Sequence, residues 1–507
     1  MTRNQRFVLL AAILGSFVAF LDVAVVNVAL PAIEDELGGG IAAQQWVVDA
    51  YLLTLGSLIL IAGSLSDLFG RKRVFGAGLV GFALASVGCA MAPNVPSLIA
   101  GRALQGIAGA LLVPSSLALI IGNFSNDQQG RAIGRWTAWT GIAFVIGPLL
   151  GGLLVDAGSW RWVFAINVLP VAVTLAVLAK LDAEPAPTER SRVDVVGALL
   201  CAVALGGIIY ALIEQPRRGW RDPAIFLPLG GGVAAFAGFL AFERATAHPL
   251  LPLALFRTRN FAVGNAATLA IYAGLTAATF LITVFLQQVA GYSATAAGLA
   301  LLPVTVIMFV LSPVFGRLAG KHGPRAFMAA GPIVAGAGFA LMAGFDAHAG
   351  YVTRLAPGVV VFGVGLAATV APLTSAVLAD IDQRHAGIAS AVNNAIARVA
   401  GLLAVAAVGA IVAAGFGRAI DARAGERRLG GSTHAFLERA KQRPLHTSAS
   451  GAPAGEREVV VDVLEGASTE AMRAGLWAMA GLMVLGGAVS ALGISNAGRR
   501  RAPAPTA

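Results

Sequence analysis

The stretch Gly63-Ser-Leu-Ser-Asp-Leu-Phe-Gly-Arg-Lys-Arg73 is a short, glycine-bounded and strongly basic loop between two long apolar segments. A polar loop flanked by apolar runs of this length predicts a link between two transmembrane helices. A weaker copy, Gly316-Arg-Leu-Ala-Gly-Lys-His-Gly-Pro-Arg325, occurs further along the chain, and its glycines and first leucine keep the same spacing. The chain is therefore predicted to be internally duplicated.

The composition is that of a membrane protein. Of the 507 residues, 57% are hydrophobic and only 12% are charged, which is about half the charged fraction of an ordinary soluble domain. The formal net charge of +10 is spread over short loops, without a basic face or an aromatic RNA-binding motif. The positive-inside rule therefore explains this charge better than a nucleic-acid partner does. Cys89 and Cys201 lie in apolar spans without metal-ligand spacing, so neither a disulfide nor a metal site is predicted.

Apolar stretches long enough to cross about 30 Å of hydrocarbon, roughly 20 residues each, predict the number of spans. The first stretch follows Arg3 and Arg6 but has no clear small-residue cleavage site, so it is interpreted as a retained helix rather than a signal peptide. Fourteen helices are predicted, near residues 7–30, 46–66, 74–92, 97–120, 132–155, 161–179, 195–213, 224–242, 261–289, 294–316, 325–345, 355–378, 386–414 and 471–495.

An even number of spans places both ends of the chain on the same side of the membrane. Arg3 and Arg6 at one end and the basic run at 499–501 at the other predict that this side is the cytoplasm. The predicted location is the bacterial cytoplasmic (inner) membrane. The segment 415–470 is charged, carries Gly, Ala and Pro at intervals, and is predicted to be a long extracytoplasmic loop. The basic cluster at 217–221 is an exception to the charge rule.

The motif Gly63-x-Leu-x-Asp67-x-x-Gly70-Arg71 resembles the signature of the loop between helices 2 and 3 in the major facilitator superfamily. The resemblance implies an all-helical integral membrane protein in which two six-helix bundles rock around a site near the middle of the membrane. The duplicated loop pairs helix 2 with helix 10, so two helices are inserted between the bundles, as in the 14-span drug:proton antiporter branch that the chain resembles. The implied domains are an N-terminal bundle at 1–180, a linker with inserted helices 7 and 8 at 181–260, and a C-terminal bundle at 261–507.

The resemblance also implies a conformational latch at the motif loop. A basic loop that only sets the topology is the alternative, and it accounts for the arginines but not for the Gly and Asp positions. In the second copy Gly320 replaces the acid, so only the first half carries the full motif. The implied latch residues are Gly63, Asp67, Gly70, Arg71 and Arg131.

Asp22 is the only acid that the prediction places deep in a core helix, about 12 Å from the end of helix 1 at 1.5 Å per residue. A central Asp costs about 2.5–3.5 kcal/mol to insert, and acids inside a membrane are by default proton or ligand sites. Arg102, in an Arg-x-x-Gln-Gly motif of helix 4, is predicted at the same depth, so the two residues can pair. Both stretches resemble motifs of the antiporter branch, which implies that Asp22 and Arg102 couple transport to protons. A structural Asp22, locked to an arginine, is the alternative.

Helix 5 resembles the antiporter signature Gly-x8-Gly-x3-Gly-Pro-x2-Gly-Gly, with Ala143 in place of the second glycine. Small residues let helices pack closely, and a proline introduces a bend. Generic tight packing is the alternative, but the intact Gly-Pro-x-x-Gly-Gly core favours an exporter. The residues of the implied antiporter motif are Gly134, Gly147, Pro148, Gly151 and Gly152.

A substrate cavity is expected where polar side chains lie within apolar helices. Helix 10 has no acid, although some members of the branch carry one there, so a preference for cationic substrates stays open. Arg398, near mid-membrane in helix 13, is equally consistent with an anchor between the bundles. The candidate cavity residues are Asn27, Gln105, Gln287, Gln288, Asn393 and Arg398.

These features predict proton-coupled efflux of amphipathic small molecules such as drugs or antibiotics. No Gly-x-x-x-x-Gly-Lys-Ser/Thr loop occurs, so no nucleotide or other cofactor is predicted and the proton gradient supplies the energy. No enzyme activity is predicted, because none of the six histidines stands at ligand spacing and no Ser-His-Asp setting is visible. The expected partners are a small-molecule substrate, protons and the lipid bilayer; a monomer is expected, with a periplasmic adaptor as an alternative. Export of an endogenous lipid, siderophore or metabolite, uptake by symport, and a non-transporting receptor or scaffold built on the 415–470 loop are the other functions left open.

Overall fold

The computed structural model describes residues 1–124, 126–182, 194–246, 249–378, 381, 386–427 and 429–496. Within these ranges the side-chain environment is described for most residues, but not at the predicted positions Gly63, Asp67, Arg131 and Gly134. Most of the predicted latch and the first glycine of the antiporter motif therefore lie outside the described side chains.

The described part of the chain is predominantly helical. Twelve of its helical segments, one of them interrupted by a turn within Trp162–Ala179, are long and apolar enough to cross a membrane, and a shorter apolar helix covers Ile146–Ala157. The predicted all-helical, multi-pass fold is confirmed. The helices are α1 (Arg3–Leu37), α2 (Gly40–Phe69), α3 (Arg71–Ala90), α4 (Val95–Asn123), α5 (Asn126–Gly141), α6 (Ala143–Ala157), α7 (Trp162–Ala165), α8 (Val168–Ala179), α9 (Val195–Arg218), α10 (Pro223–Ala245), α11 (Arg259–Gln288), α12 (Ala294–His322), α13 (Arg325–Met342), α14 (Ala356–Leu378), α15 (Ala386–Gly425), α16 (Gly431–Ala440) and α17 (Arg457–Gly493).

Glycines allow these apolar helices to approach one another closely. A Cβ atom at Gly106 would stand 2.3 Å from the Tyr51 carbonyl oxygen, so α4 lies this close to α2 only because the residue is glycine. Gly70 separates α2 from α3 and has a φ of 92°, a left-handed backbone conformation that favours glycine. The predicted loop between helices 2 and 3 is thus a single-residue turn at Gly70.

The chain separates into two compact units. In the first unit α9 packs against α10 and against α2, where the rings of Trp46 and Tyr210 lie 6.2 Å apart. In the second unit α13 packs against α14 along its length. The first unit contains Met1–Leu250, Thr283–Leu299 and Ala413–Ser468, and the second contains Leu251–Ile282, Ala300–Val412 and Thr469–Ala507.

Several helices extend beyond the predicted apolar runs. α15 continues to Gly425 although the run ends near residue 414, and α17 begins at Arg457 rather than near 471. The predicted loop 415–470 is therefore largely helical, and it also contains α16. Hydropathy detects where a helix leaves the hydrocarbon, whereas the backbone hydrogen bonds of a helix continue into water.

Two predicted helices are interrupted. The helix predicted at 132–155 consists of α5 and α6, which meet at Ile142. α6 contains Pro148, which has no N–H to donate to the preceding turn and so weakens the helix on that side. The helix predicted at 161–179 consists of α7 and α8, with a turn at 166–167 between them. Both breaks follow from local backbone geometry that an apolar run does not reveal.

Charged side chains connect the parts of the segment 415–470. Arg427 pairs with Asp462, and Lys441 pairs with both Asp421 and Glu438. Burial alone would lower the pKa of Lys441, but the two carboxylates outweigh this effect and raise the pKa above its ordinary value. The segment is a folded polar extension rather than an unstructured loop.

We expect Ser450→Cys to react with a membrane-impermeant maleimide in intact cells. Ser450 is exposed, and the predicted orientation places it outside the cell. The native Cys89 is buried and Cys201 is only partly exposed, so the wild-type chain reports the background. The exposed Arg73, replaced by Cys, is the control on the predicted cytoplasmic side and should react only after lysis. Labelling of Ser450→Cys only after lysis would contradict the predicted orientation.

Candidate functional site

Asp22 and Arg102 form an ion pair inside the first unit. α1 is 35 residues long, and Asp22 lies in its second half with no exposed surface. Arg102 Nη1 lies 2.6 Å from Asp22 Oδ2, and only 1% of Arg102 is exposed. The structure thus brings together the two residues that the sequence places at one depth, while their part in proton coupling stays a prediction.

Amide and hydroxyl groups complete the surroundings of the pair. Gln105 Nε2 donates to Asp22 Oδ1 over 2.8 Å, and Asn167 Nδ2 donates to the same oxygen over 2.9 Å. Gln105 Oε1 accepts from Arg102 Nη1 over 2.7 Å, and Gln105 Nε2 also donates to Ser86 Oγ over 2.9 Å. All five residues are buried. We call them the Asp22 cluster: Asp22, Ser86, Arg102, Gln105 and Asn167.

The Arg102 guanidinium makes further contacts outside the cluster. Its Nε donates to the Val47 carbonyl over 2.9 Å. Its central carbon lies 4.3 Å from the centre of the Tyr51 ring and 5.8 Å from that of Phe164. A cation over a desolvated aromatic ring gains about 2 kcal/mol or more. Each buried ion loses several kcal/mol of hydration, and contacts of this quality offset that loss. The cluster therefore holds one negative and one positive charge away from water.

Sequence reasoning missed Asn167 and Ser86. Asn167 lies in the turn between α7 and α8, and Ser86 lies in α3, so helices distant in sequence supply the donors. A lone asparagine within an apolar span is the signal that identifies such a residue. Serine is frequent at helix contacts in membranes, so Ser86 carries no comparable signal.

The described residues of the antiporter motif hold α6 against α1 and against the start of α12. A Cβ atom at Gly147 would lie 2.4 Å from Ala24 Cβ, and one at Gly151 would lie 2.9 Å from the Val25 carbonyl oxygen. A Cβ atom at Gly152 would lie 2.4 Å from the Cα of Thr295. Each of these distances is too short for a side chain, so glycine is required at these contacts.

α6 also caps the N-terminus of α12. Asp156 Oδ1 accepts from the Ala294 N–H over 3.1 Å, and Oδ2 accepts from the Thr295 N–H over 2.9 Å. A carboxylate there satisfies free amide groups and interacts favourably with the helix dipole. The Pro148 carbonyl oxygen would lie 2.5 Å from a Cβ atom at Gly298. The motif thus belongs to a backbone contact between α6 and the first turns of α12, all within the first unit.

The three predicted cavity glutamines all donate hydrogen bonds to α1. Their amides therefore already donate hydrogen bonds within the protein. These hydrogen bonds have to break before the same amides can bind a substrate. The bonds run from Gln105 to Asp22 Oδ1 (2.8 Å), from Gln287 to the Val28 carbonyl (3.0 Å) and from Gln288 to Glu34 Oε2 (3.3 Å).

The other predicted cavity residues are distributed over the two units. Asn27 is half-buried in α1 of the first unit. Asn393 belongs to the second unit, where its Nδ2 donates to Asn265 Oδ1 over 3.0 Å and to Thr268 Oγ1 over 2.8 Å. Arg398, in the same helix, is half-buried. That these residues line a common substrate cavity stays a prediction.

The described part of the latch motif contacts α4. Arg71 follows Gly70 directly and its Nη1 donates to the Ala118 carbonyl over 3.1 Å. Lys72 Nζ donates to the Leu181 carbonyl over 2.7 Å. Two of the three basic residues of the loop therefore bind backbone carbonyls, one near the C-terminal end of α4 and one just after α8. The side chains of Asp67 and Arg131 lie outside the described ones, so their part in a latch stays a prediction.

Glu34, which sequence reasoning also missed, lies near the end of α1 and is only 1% exposed. Its carboxylate faces Arg443 Nη2 at 2.5 Å, Gln288 Nε2 at 3.3 Å and His446 Nδ1 at 3.7 Å. Glu34, Asp35 and His446 each place one potential metal-ligand atom within 4.8 Å of the others. The positive charge of Arg443 on Glu34 disfavours a cation there, so we interpret the group as an ion pair between α1 and the segment 415–470.

Replacing Arg443 with Ala is expected to lower the melting temperature of the detergent-purified protein by more than Glu34→Gln does. Arg443→Ala leaves a buried carboxylate without its cation, whereas Glu34→Gln removes the buried charge itself. Because the Arg443 side chain is 47% exposed, the coupling between the two residues should be only about 1 kcal/mol. Thermal melts of both single variants and the double variant measure it. Equal shifts that add in the double variant would show that the pair is not coupled.

Comparison with known proteins agrees with this architecture. The sequence profile of the Major Facilitator Superfamily matches residues 12–405. The chain is 35% identical to Multidrug resistance protein Stp of Mycobacterium tuberculosis over 416 residues, which are 82% of this chain and 77% of that protein. It is 34% identical over 415 residues to the Tetracenomycin C resistance and export protein of Streptomyces glaucescens, with 81% of this chain and 76% of that protein covered.

The fold is also shared with a solved structure. A bacterial homolog to the human lysosomal transporter Spinster, in an inward-facing and occupied conformation, matches with a TM-score of 0.69 over 97% of both chains, at 16% sequence identity. That likeness concerns the fold alone. The family profile, in contrast, covers most of the sequence, and the relatives share a third of their residues with this chain over most of its length. The chain belongs to the Major Facilitator Superfamily.

Proposed function

We propose that this protein exports amphipathic small molecules, such as drugs or antibiotics, across the bacterial cytoplasmic membrane in exchange for protons. The observation that carries the proposal is the Asp22 cluster, in which a carboxylate without exposed surface is matched by one guanidinium and two amides. An acid kept inside a membrane at such a cost is by default a proton or ligand site. The resistance and export proteins among the relatives support efflux as the direction of transport.

In the proposed mechanism the proton binds at Asp22. While Asp22 is charged, Arg102 and the amides of Gln105 and Asn167 stabilise it. A proton on Asp22 removes that charge, so Arg102 loses its ion-pair partner and the cluster has to rearrange. Coupling requires that the proton is held in one conformation and released in the other, because a group protonated equally in both transmits no free energy.

A proton gradient supplies enough free energy for this task. Each charge that moves through 100 mV yields about 2.3 kcal/mol, so a total force near 150 mV yields roughly 3.5 kcal/mol. At about 1.4 kcal/mol per factor of ten, one proton supports a gradient of roughly 300-fold in a neutral substrate. The proposal therefore requires no nucleotide or other cofactor.

We propose a 14-span arrangement for the helices. Besides the twelve apolar spans, α2 has 30 residues, and α5 and α6 have 16 and 15 residues in succession. At 1.5 Å per residue each of these additions is long enough to cross about 30 Å of hydrocarbon. The bundles would then be 1–180 and 261–507, with α9 and α10 inserted at 181–260, both chain ends in the cytoplasm and 415–470 outside. A monomer in the lipid bilayer suffices for this mechanism, and a periplasmic adaptor is a partner to test.

Drug-susceptibility profiling tests the proposed function. Cells that overexpress the chain should tolerate several-fold higher concentrations of at least one antibiotic in a panel that includes tetracenomycin C, compared with cells carrying the empty vector. Everted vesicles from the same cells should accumulate that antibiotic under an imposed pH gradient, and a protonophore should abolish the accumulation. Unchanged susceptibility to the whole panel at normal expression would count against antibiotic efflux, and would favour an endogenous lipid, siderophore or metabolite as the substrate.

A further inference from the structure

Asp49 is a further buried acid, and it does not belong to the Asp22 cluster. It has no exposed surface, and neither of its carboxyl oxygens has a hydrogen-bond partner in the described part of the protein. The apolar run predicted a helix that begins near residue 46, which would place Asp49 at a helix end close to water. The structure begins α2 at Gly40, so Asp49 lies inside the helix. The prediction that Asp22 is the only deep acid of the core helices was therefore wrong.

The helical geometry places Asp49 on the face of α2 that turns towards α9. Successive residues of an α-helix are about 100° apart. Tyr51, whose ring lies against Arg102, is two positions away and thus about 200° around the helix. Trp46, which contacts Tyr210 of α9, and Leu53, which lies against Gly206 of α9, are each within roughly 60° of Asp49. Asp49 is therefore separated from Arg102 by the body of α2.

The protonation state of Asp49 follows from this environment. An ionised carboxylate buried without a counter-ion costs several kcal/mol or more, whereas a neutral polar group without a hydrogen bond costs about 1–3 kcal/mol. The neutral acid is therefore the form compatible with the burial of Asp49. An apolar residue would fill the same position without either cost. A carboxyl group there therefore indicates a functional role.

We propose that Asp49 is a second proton-binding residue of this transporter, which holds a proton in the present conformation and exchanges it in another. The inference rests on the proposed proton-coupled transport and adds a site to it. Asp22 remains the residue whose protonation deprives Arg102 of its ion-pair partner during transport. Asp49 carries a second proton on the opposite face of α2. Two such sites would allow more than one proton to move for each substrate.

The contact between α2 and α9 offers a route for this proton. Glu214 of α9 lies on that contact and accepts a hydrogen bond from Trp46 Nε1 over 3.2 Å. Its other oxygen faces Arg218 Nε at 3.9 Å, near the end of α9, where water is available. In this proposal the proton of Asp49 leaves along the contact on which Glu214, the only acid of α9, lies. The helices that pack against α2 carry the following titratable and charged groups: Arg3, Arg6, Asp22, Glu34, Asp35 and Glu36 of α1, Arg71, Lys72, Arg73 and Cys89 of α3, Arg102 of α4, and Cys201, Tyr210, Glu214, Arg217 and Arg218 of α9.

Infrared spectroscopy of the purified protein in lipid membranes tests the proposal without any substrate. The wild-type protein should show the carbonyl stretch of a protonated carboxylic acid at neutral pH, and this band should shift in heavy water and disappear at alkaline pH. Asp49→Asn should lose the band, and Asp49→Glu should shift it. Asp22→Asn and the matched control Glu36→Gln, a half-exposed acid paired with Arg161, should retain it.

Two results would overturn the assignment of Asp49. One is an identical spectrum for wild type and Asp49→Asn at every pH, and the other is a band that neither exchanges with deuterium nor titrates, which would make the proton a fixed structural one. If Asp49→Asn does not fold, carbon-13 labelling of aspartate in the wild-type protein identifies the band, and Asp22→Asn separates the two aspartates. Because no substrate is involved, this result is independent of whether the susceptibility tests support efflux.

Discussion

Asp22→Asn is expected to abolish uphill, proton-driven efflux while leaving downhill exchange of the same antibiotic measurable. Asparagine keeps the size of aspartate and mimics its protonated form, so the Asp22 cluster can no longer release a proton when the conformation changes. Both amides that now bind Asp22 Oδ1 can still donate to the carbonyl oxygen of an asparagine. The measurement is accumulation of the antibiotic in everted vesicles under an imposed pH gradient, beside counterflow without a gradient.

The matched control for this experiment is Glu36→Gln. Glu36 belongs to the same helix, but its side chain is 49% exposed and its ion pair is with Arg161 rather than with Arg102. This variant should accumulate the antibiotic at the wild-type rate. If Asp22→Asn vesicles also do so, Asp22 is not the coupling residue and the proton that drives transport binds elsewhere.

Gly152→Leu is expected to slow efflux by about fivefold or more at normal expression. A side chain at this position collides with the Thr295 backbone, because even a Cβ atom would lie 2.4 Å from its Cα. Overpacking of this kind costs about 1–3 kcal/mol, and only the conformation in which α6 touches the start of α12 bears the cost. A difference of that size shifts a conformational equilibrium by roughly 5- to 150-fold, so the transport cycle loses one of its states. Initial efflux rates in energised cells measure the effect.

The control for Gly152→Leu is Gly231→Leu in α10. Gly231 is exposed, and a Cβ atom there meets no other atom within 4 Å, so the same substitution adds the same volume without a collision. Its efflux rate should equal that of the wild type. A wild-type rate for Gly152→Leu would show that the contact between α6 and α12 either opens freely or does not limit the cycle.

The sequence predicts the ion pair of Asp22 and Arg102 because both residues interrupt apolar spans, and their depths follow from the rise of a helix. It does not predict Asn167 as a donor to Asp22, because that contact depends on how α8 packs beside α1 and on the turn that precedes α8. The sequence does not predict the contact of Ser86 with Gln105 for the same reason. Tertiary packing selects which polar groups meet, and hydropathy contains no information about that choice.

Asp49 and Glu34 illustrate a second limit of the sequence. Glu34 lies beyond the first predicted run, which ends near residue 30, and Asp49 lies only three residues inside the run that begins near residue 46, so both stand close to a predicted helix end. The helices α1 and α2 in fact continue to within a few residues of each other, and other segments cover these ends. Burial at the edges of a membrane protein depends on neighbouring chain segments rather than on the local run of residues.

The seclusion of the Asp22 cluster also bears on the cost of keeping this protein in a cell. A membrane that contains many copies of a proton exchanger loses its proton gradient if protons cross it without being exchanged for substrate. Asp22 has no exposed surface and Arg102 only 1%, so in the observed conformation a proton at the cluster has no contact with water. Under the proposed proton exchange, an idle copy should therefore not leak protons across the membrane, and a cell should be able to hold many copies with little penalty in growth.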